Sequence, residues 1–258
     1  MAPPNDQPSA ANSSAFVSQA SVFRTTRWNI VRLAQEGQGD DAREGLERLA
    51  RTYWYPLYAF ARRQGFKEED AQDLTQSFLA RLLTGEGLQS VDPAKGRFRS
   101  FLLACFKNFL NDQRERAQAV KRGGGVEFVP LNPTAAEERF TGDSAPAQLN
   151  GEERYDRDWA QSLMSEALER LRKESAESGK EERFLALQPY LIEEVSTDEE
   201  RDLRKRLALG ESGLRSALQR LRFRLGEYLW TEVARTVQDT SEVESETRHL
   251  LGILSRIE

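Results

Sequence analysis

Histidine and cysteine each occur once in the 258 residues, as His249 and Cys105, and methionine only twice. A single cysteine excludes an intrachain disulfide framework and a thiolate metal site, and fits a reducing cytosol. A lone histidine cannot build a metal centre. No apolar run approaches the roughly 18 residues that span a bilayer. The opening MAPPNDQPSAANSSAF lacks a basic start followed by an apolar stretch, so it does not read as a secretory signal. The period-two alternation of strands is missing as well. Gly123–Gly125 has no lysine-serine pair after it and no flanking strand, which excludes a phosphate-binding glycine loop. No catalytic constellation emerges: neither an enzyme, a cofactor nor a metal is expected.

What the chain has is charge, at 31% of residues against 38% hydrophobic, with a net of −5. Residues 1–24 are rich in Pro, Ser, Asn and Ala and read as a disordered tail. From residue 25 the apolar spacing is helical. Trp28, Val31, Leu33 and Ala34 mark a first helix. Leu46, Leu49, Tyr53, Leu57 and Phe60 mark a second, in which Pro56 predicts a kink or a fresh start. Ala71, Leu74, Phe78 and Leu82 mark a third over 68–83, with Asp70, Asp73, Gln76 and Arg81 on its other face. Residues 123–157 carry glycines and prolines with little periodicity and read as a linker. Beyond it, Trp159, Leu163, Ala167 and Leu171 recur every four residues, and a shorter helix carries Phe184, Leu185 and Leu191. Leu214, Leu218, Leu221, Leu225, Leu229 and Val233 form one long stripe. Ser241 with Glu244 has the pattern of a capping box opening a C-terminal helix. The expected fold class is therefore all-α: helical domains at 25–122 and 158–240, a flexible linker at 123–157, and a last helix over 241–258.

Positive charge gathers in two places. Residues 97–122 hold seven bases against two acids, a net of +5, interleaved with Phe98, Phe101, Phe106 and Phe109. Such a segment is either a core helix with a solvated basic end or a surface that grips phosphates and stacks on unpaired bases. Residues 201–224 hold eight bases against two acids, a net of +6, laid out as short helix, turn and long helix. That is the layout of a helix-turn-helix or of an ordinary basic hairpin.

WYPLYAFARRQGFKEEDAQDLTQSFLARLL, residues 54–83, followed by RFRSFLLACFKNFLNDQRERAQAVKR, residues 97–122, resembles the sigma-70 family of RNA polymerase sigma factors, of the extracytoplasmic-function type. The matching positions are Asp73 with Gln76, and Asn108 with Asp112. LGESGLRSALQRLRFRL resembles the family's helix-turn-helix; the preceding helix departs, reading DEERDLRKRLAL with Ala208 where the turn glycine usually stands.

The resemblance implies a cytoplasmic subunit that binds core RNA polymerase and promoter DNA. Asp70, Asp73, Gln76 and Arg81 would meet the polymerase. Arg97, Phe98, Arg99, Phe101, Lys107, Arg114 and Arg116 would hold the opened minus-ten element, with Phe98 and Phe101 at the surface and Cys105, Phe106 and Phe109 in the core. Ser212, Arg215, Ser216 and Gln219 would read base edges, with Arg220, Arg222 and Arg224 on phosphates. An anti-sigma factor or other regulator is a further candidate partner, and the C-terminal helix could dock on the second domain or on a partner. A stand-alone helix-turn-helix regulator, or a sigma-like interaction protein with a degenerate DNA-binding domain, are the alternatives.

Overall fold

The computed structural model describes residues 40–83, 97–119, 133–143, 149–237 and 240–255. The tail and first helix expected before residue 40, and Lys121 and Arg122, lie outside the described residues. Among those described there are nine α-helices and no strand, so the fold is all-α.

Helix α1, Asp40–Arg63, continues through Pro56, so of the kink or fresh start expected there the fresh start does not occur. Leu49, Tyr53, Leu57 and Phe60 are all buried along one stripe. Arg62 and Arg63 close the helix where the dipole favours cations. Helix α2, Glu68–Leu83, begins with Glu68, Glu69 and Asp70 for the opposite reason. It buries Ala71, Phe78, Leu79 and Leu82. Helix α3 spans Phe98–Ala119. Phe78 of α2 meets Phe106 and Phe109 of α3 at ring separations of 4.9 and 5.6 Å. Tyr53 of α1 meets Phe98 edge-on at 5.5 Å. Each such fully buried ring contributes about 2–3 kcal/mol, and together they fix three helices around one aromatic centre.

The expected linker contains ordered structure. Helix α4, Pro133–Thr141, starts on a proline, which the first helical position tolerates. It docks on α1: Ala136 is buried, Phe140 packs on the first core, and Arg62 binds Glu137 at 2.6 Å. Helix α5, Gly151–Glu177, starts seven residues before the expected boundary, from a capping box of Asn150 with Glu153.

Its stripe is buried as its spacing requires, but in two different places. Tyr155, Trp159, Ala160 and Leu163 pack into the core built by α1 to α3, and Ala167 and Leu171 into a second core.

That second core takes Phe184 and Leu187 from α6, Glu181–Leu187, and Leu191 from the 3-10 turn Gln188–Leu191. Leu185, read from sequence with its apolar neighbours, is half exposed. Helix α7, Thr197–Arg206, adds Leu203. Helix α8, Glu211–Ala234, adds Leu214, Ala217, Leu218, Leu225 and Leu229, then returns to the first core through Val233 and Ala234. Helix α9, Val243–Leu254, follows a 3-10 turn Thr240–Glu242, so its N-cap is Glu242 rather than the expected Ser241. It docks on α5 and α8, burying Val243 and Leu250 in the first core.

Candidate nucleic-acid interface

On α2, Asp70, Asp73 and Arg81 are exposed and Gln76 half-buried, opposite the face that buries Ala71, Phe78 and Leu82. Arg81 also lies 5.6 Å from the Phe109 ring. The fold thus presents all four expected contacts on one polar face, with acids at its N-terminal end and a base at its C-terminal end.

The start of α3 is different, and here two expectations are corrected. Phe98 has no exposed surface, so its ring cannot stack on a base; it sits against Tyr53 and Phe101. Arg99 is 3% exposed and faces inward. Its guanidinium binds Asp156 of α5 at 3.0 Å, pairs with Glu246 of α9, and lies 4.9 Å over the Trp159 ring. Tyr155 donates its hydroxyl to the Arg99 carbonyl at 3.3 Å. Burial opposes the charge of Arg99, yet Asp156 and Glu246 hold its pKa above the ordinary value. Arg97 reaches the same Glu246 at 2.9 Å, and His249 reaches Asp156 at 3.3 Å. The C-terminal helix is therefore tied to the beginning of α3 by charge.

Farther along α3 the expected contacts stay near the surface. Phe101 is half-buried. Lys107 pairs with Glu152 and lies 5.7 Å over Phe60. Arg114 donates to the Gln64 carbonyl at 2.8 Å and covers Phe66 at 4.8 Å. Asn108 and Asp112 are exposed. Phe106 and Phe109 are core, as expected; Cys105 is half-buried, and burial raises its thiol pKa. The Arg116 side chain lies outside the described residues.

Helices α7 and α8 are joined by a tight turn. Ser196 and Glu199 form a capping box that starts α7 within a run of acids. At its end the Leu209 amide donates to the Arg204 carbonyl at 3.0 Å and the Ala208 amide to the Lys205 carbonyl at 3.3 Å. This is the Schellman pattern, which needs a left-handed residue at its centre. Ala208 takes that role at φ +51°, where the equivalent turn after α5 has Gly179 at +67°. Gly210 then caps α8.

The N-terminal half of α8 offers Ser212, Arg215, Ser216, Gln219, Arg220 and Phe223 to solvent. Ser212, Arg215, Ser216, Gln219 and Phe223 follow one helical face, at spacings of three and four. Among the described residues Arg215 has only the surface pair to Glu211, at 3.1 Å. Two of the three arginines assigned to phosphates are engaged by the fold itself. Arg222 donates to the Tyr190 and Glu193 carbonyls at 2.8 and 3.1 Å. Arg224 forks onto Glu174 and Glu227 at 2.9 Å each, hydrogen bonds that raise its pKa. Arg220 has no ion pair among the described residues, and neither do Lys180 and Arg183, which the sequence reading passed over.

Among the described residues the protein is all-helical, with an exposed polar face on α2, a basic helix α3 tied by charge to α9, and an exposed face on the N-terminal half of α8. Residues 49–120 match the family model for Sigma-70 region 2, the segment that forms most of α1 and all of α2 and α3. The match is to that segment, and it supports a sigma-70 family role in transcription initiation. No curated protein and no solved structure matches the chain. No helix among the described residues is long and apolar enough to cross a membrane.

Proposed function

We propose that the chain is a cytoplasmic sigma factor of the extracytoplasmic-function type that brings core RNA polymerase to promoters. In this reading the α2 face carrying Asp70, Asp73, Gln76 and Arg81 docks on the polymerase. The outer side of α3, with Phe101, Lys107 and Arg114, holds the opened minus-ten element. Base stacking on an aromatic contributes about 1–3 kcal/mol, so one half-exposed ring beside cations is enough to favour unpaired strand. Arg97 and Arg99 act indirectly, by seating α3 on α5 and α9. Helix α8 enters promoter duplex with Arg215 and Gln219 facing guanine and adenine edges.

The observation that carries the reading is the coincidence of the matched segment, 49–120, with the three helices that share one aromatic core. In vitro transcription with core polymerase and mapped start sites tests it. Promoter-dependent starts are expected, and a pull-down that recovers no polymerase subunits would overturn it. A sigma-like interaction protein is the second reading, favoured by the engagement of Arg222 and Arg224 with partners in the fold itself. It expects Arg215→Ala and Arg220→Ala to leave promoter-directed transcription unchanged.

A further inference from the structure

Between the C-terminal end of α5, α6 and the middle of α8 lies a cleft of about 280 Å³. Lys180, Arg183, Arg220 and Arg224 line it, with Glu174 as the acid and Phe184 in the floor. Glu174 is already neutralised. It accepts from Arg224 at 2.9 Å and from Tyr228 at 2.8 Å, and the Arg224 hydrogen bond holds its carboxyl below the ordinary pKa. Lys180, Arg183 and Arg220 are left with no ion pair among the described residues, and Lys180 and Arg220 are exposed. Three uncompensated cations, two from the α5–α6 corner and one from α8, set over a buried phenyl ring, focus a positive potential at one spot.

Where that spot lies decides what fills it. Arg220 stands one turn after Ser216 and beside Gln219 on α8, so the cleft adjoins the exposed face already described. A helix in the major groove is flanked on both sides by sugar-phosphate strands. We infer that Lys180, Arg183 and Arg220 form a clasp for the DNA backbone phosphates bordering the groove that α8 enters. The inference rests on the helix-turn-helix reading of α7 and α8. The clasp positions without specifying, because phosphates carry no base identity. Two of its members lie outside the helix-turn-helix, on the α5–α6 corner, so it widens the grip to a part of the chain with no other assigned role.

The test uses the full chain reconstituted with core polymerase, binding a promoter duplex and a scrambled duplex across a salt series. The double variant Lys180→Gln/Arg183→Gln is expected to weaken both duplexes alike. Its plot of log affinity against log salt should be shallower by about two, since each lost phosphate contact removes about 0.9. Lys180→Arg/Arg183→Lys should restore the slope, which separates charge from folding. Arg215→Ala and Gln219→Ala are run beside them. If these erase the preference for promoter duplex while the double variant leaves the slope unchanged, the clasp is wrong and the helix-turn-helix stands. If neither set changes binding, the helix-turn-helix reading falls and the clasp with it.

Discussion

Replacing Glu246 by alanine probes the tie between the C-terminal helix and α3. Glu246 is 1% exposed and receives Arg99, itself 3% exposed, together with Arg97 at 2.9 Å. Truncating it leaves Arg99 charged in a site closed to water. Removing one member of a buried pair costs about 3–5 kcal/mol, because the survivor cannot recover its hydration. Asp156 remains 3.0 Å from Arg99, so the low end applies, about 3 kcal/mol. For a chain of this size urea acts with a slope of about 3 kcal/mol per molar, which puts the unfolding midpoint about 1 M lower. The thermal midpoint should fall by about 6–12 °C.

Two further variants make the reasoning specific. Arg97→Ala should move the urea midpoint little, because that side chain is 38% exposed and Glu246 keeps Arg99. Arg99→Leu/Glu246→Leu should recover most of the loss, since an apolar pair of similar volume avoids the desolvation cost. A Glu246→Ala midpoint within about 0.3 M of the parent would refute the claim that this carboxylate anchors α9 and the start of α3.

The other expectations are smaller. Ala208→Gly should stabilise the protein by about 0.5–1 kcal/mol: the left-handed conformation costs an L-residue about 1–2, and glycine gives part of that back as chain entropy. A rise in the chemical-denaturation midpoint checks it, and a fall would mean that the turn is not left-handed. Asp73→Lys should weaken core polymerase capture in a pull-down titration with the thermal midpoint unchanged, since Asp73 is exposed and lies beyond the acidic first turn of α2. Glu137 has its pKa lowered by the hydrogen bond from Arg62, so its contribution is full above the ordinary glutamate range and is lost as pH falls through the depressed value. Limited proteolysis near residues 133–143 should therefore be slow at neutral pH and accelerate below about pH 4; a rate independent of acid would count against the α4–α1 contact.

The helical stripes were legible because burial on a helix obeys a simple period. Trp159, Leu163, Ala167 and Leu171 are all buried as read. What the period could not say is that the first two belong to one core and the last two to another. Phe98 could have been placed correctly, since it continues the spacing of Leu102, Phe106 and Phe109 into the buried face. Its aromatic-basic neighbourhood pointed the other way. Arg99 gave no local sign, because its acidic partners lie 57 and 147 positions away. The glycines and prolines of 123–157 concealed α4 and the first turns of α5. A proline at a first helical position followed by TAAEER, and Asn150 three residues before Glu153, were the available signals. The match over 49–120 fell on the segment that carried the family resemblance, where several helices contribute specific residues to one pattern.

Helices α5 and α8 each enter both cores, so α3 and the exposed face of α8 sit on shared beams rather than on a slack tether. A rigid frame of this kind measures distance. Adding one base pair between two contacted DNA elements moves them about 3.4 Å apart and turns them by about 34°. A hinge would absorb that change, whereas two continuous helices must bend or lose one of the contacts. On the proposed function, the protein should accordingly act as a ruler, strict about the spacing of the sequence elements it engages.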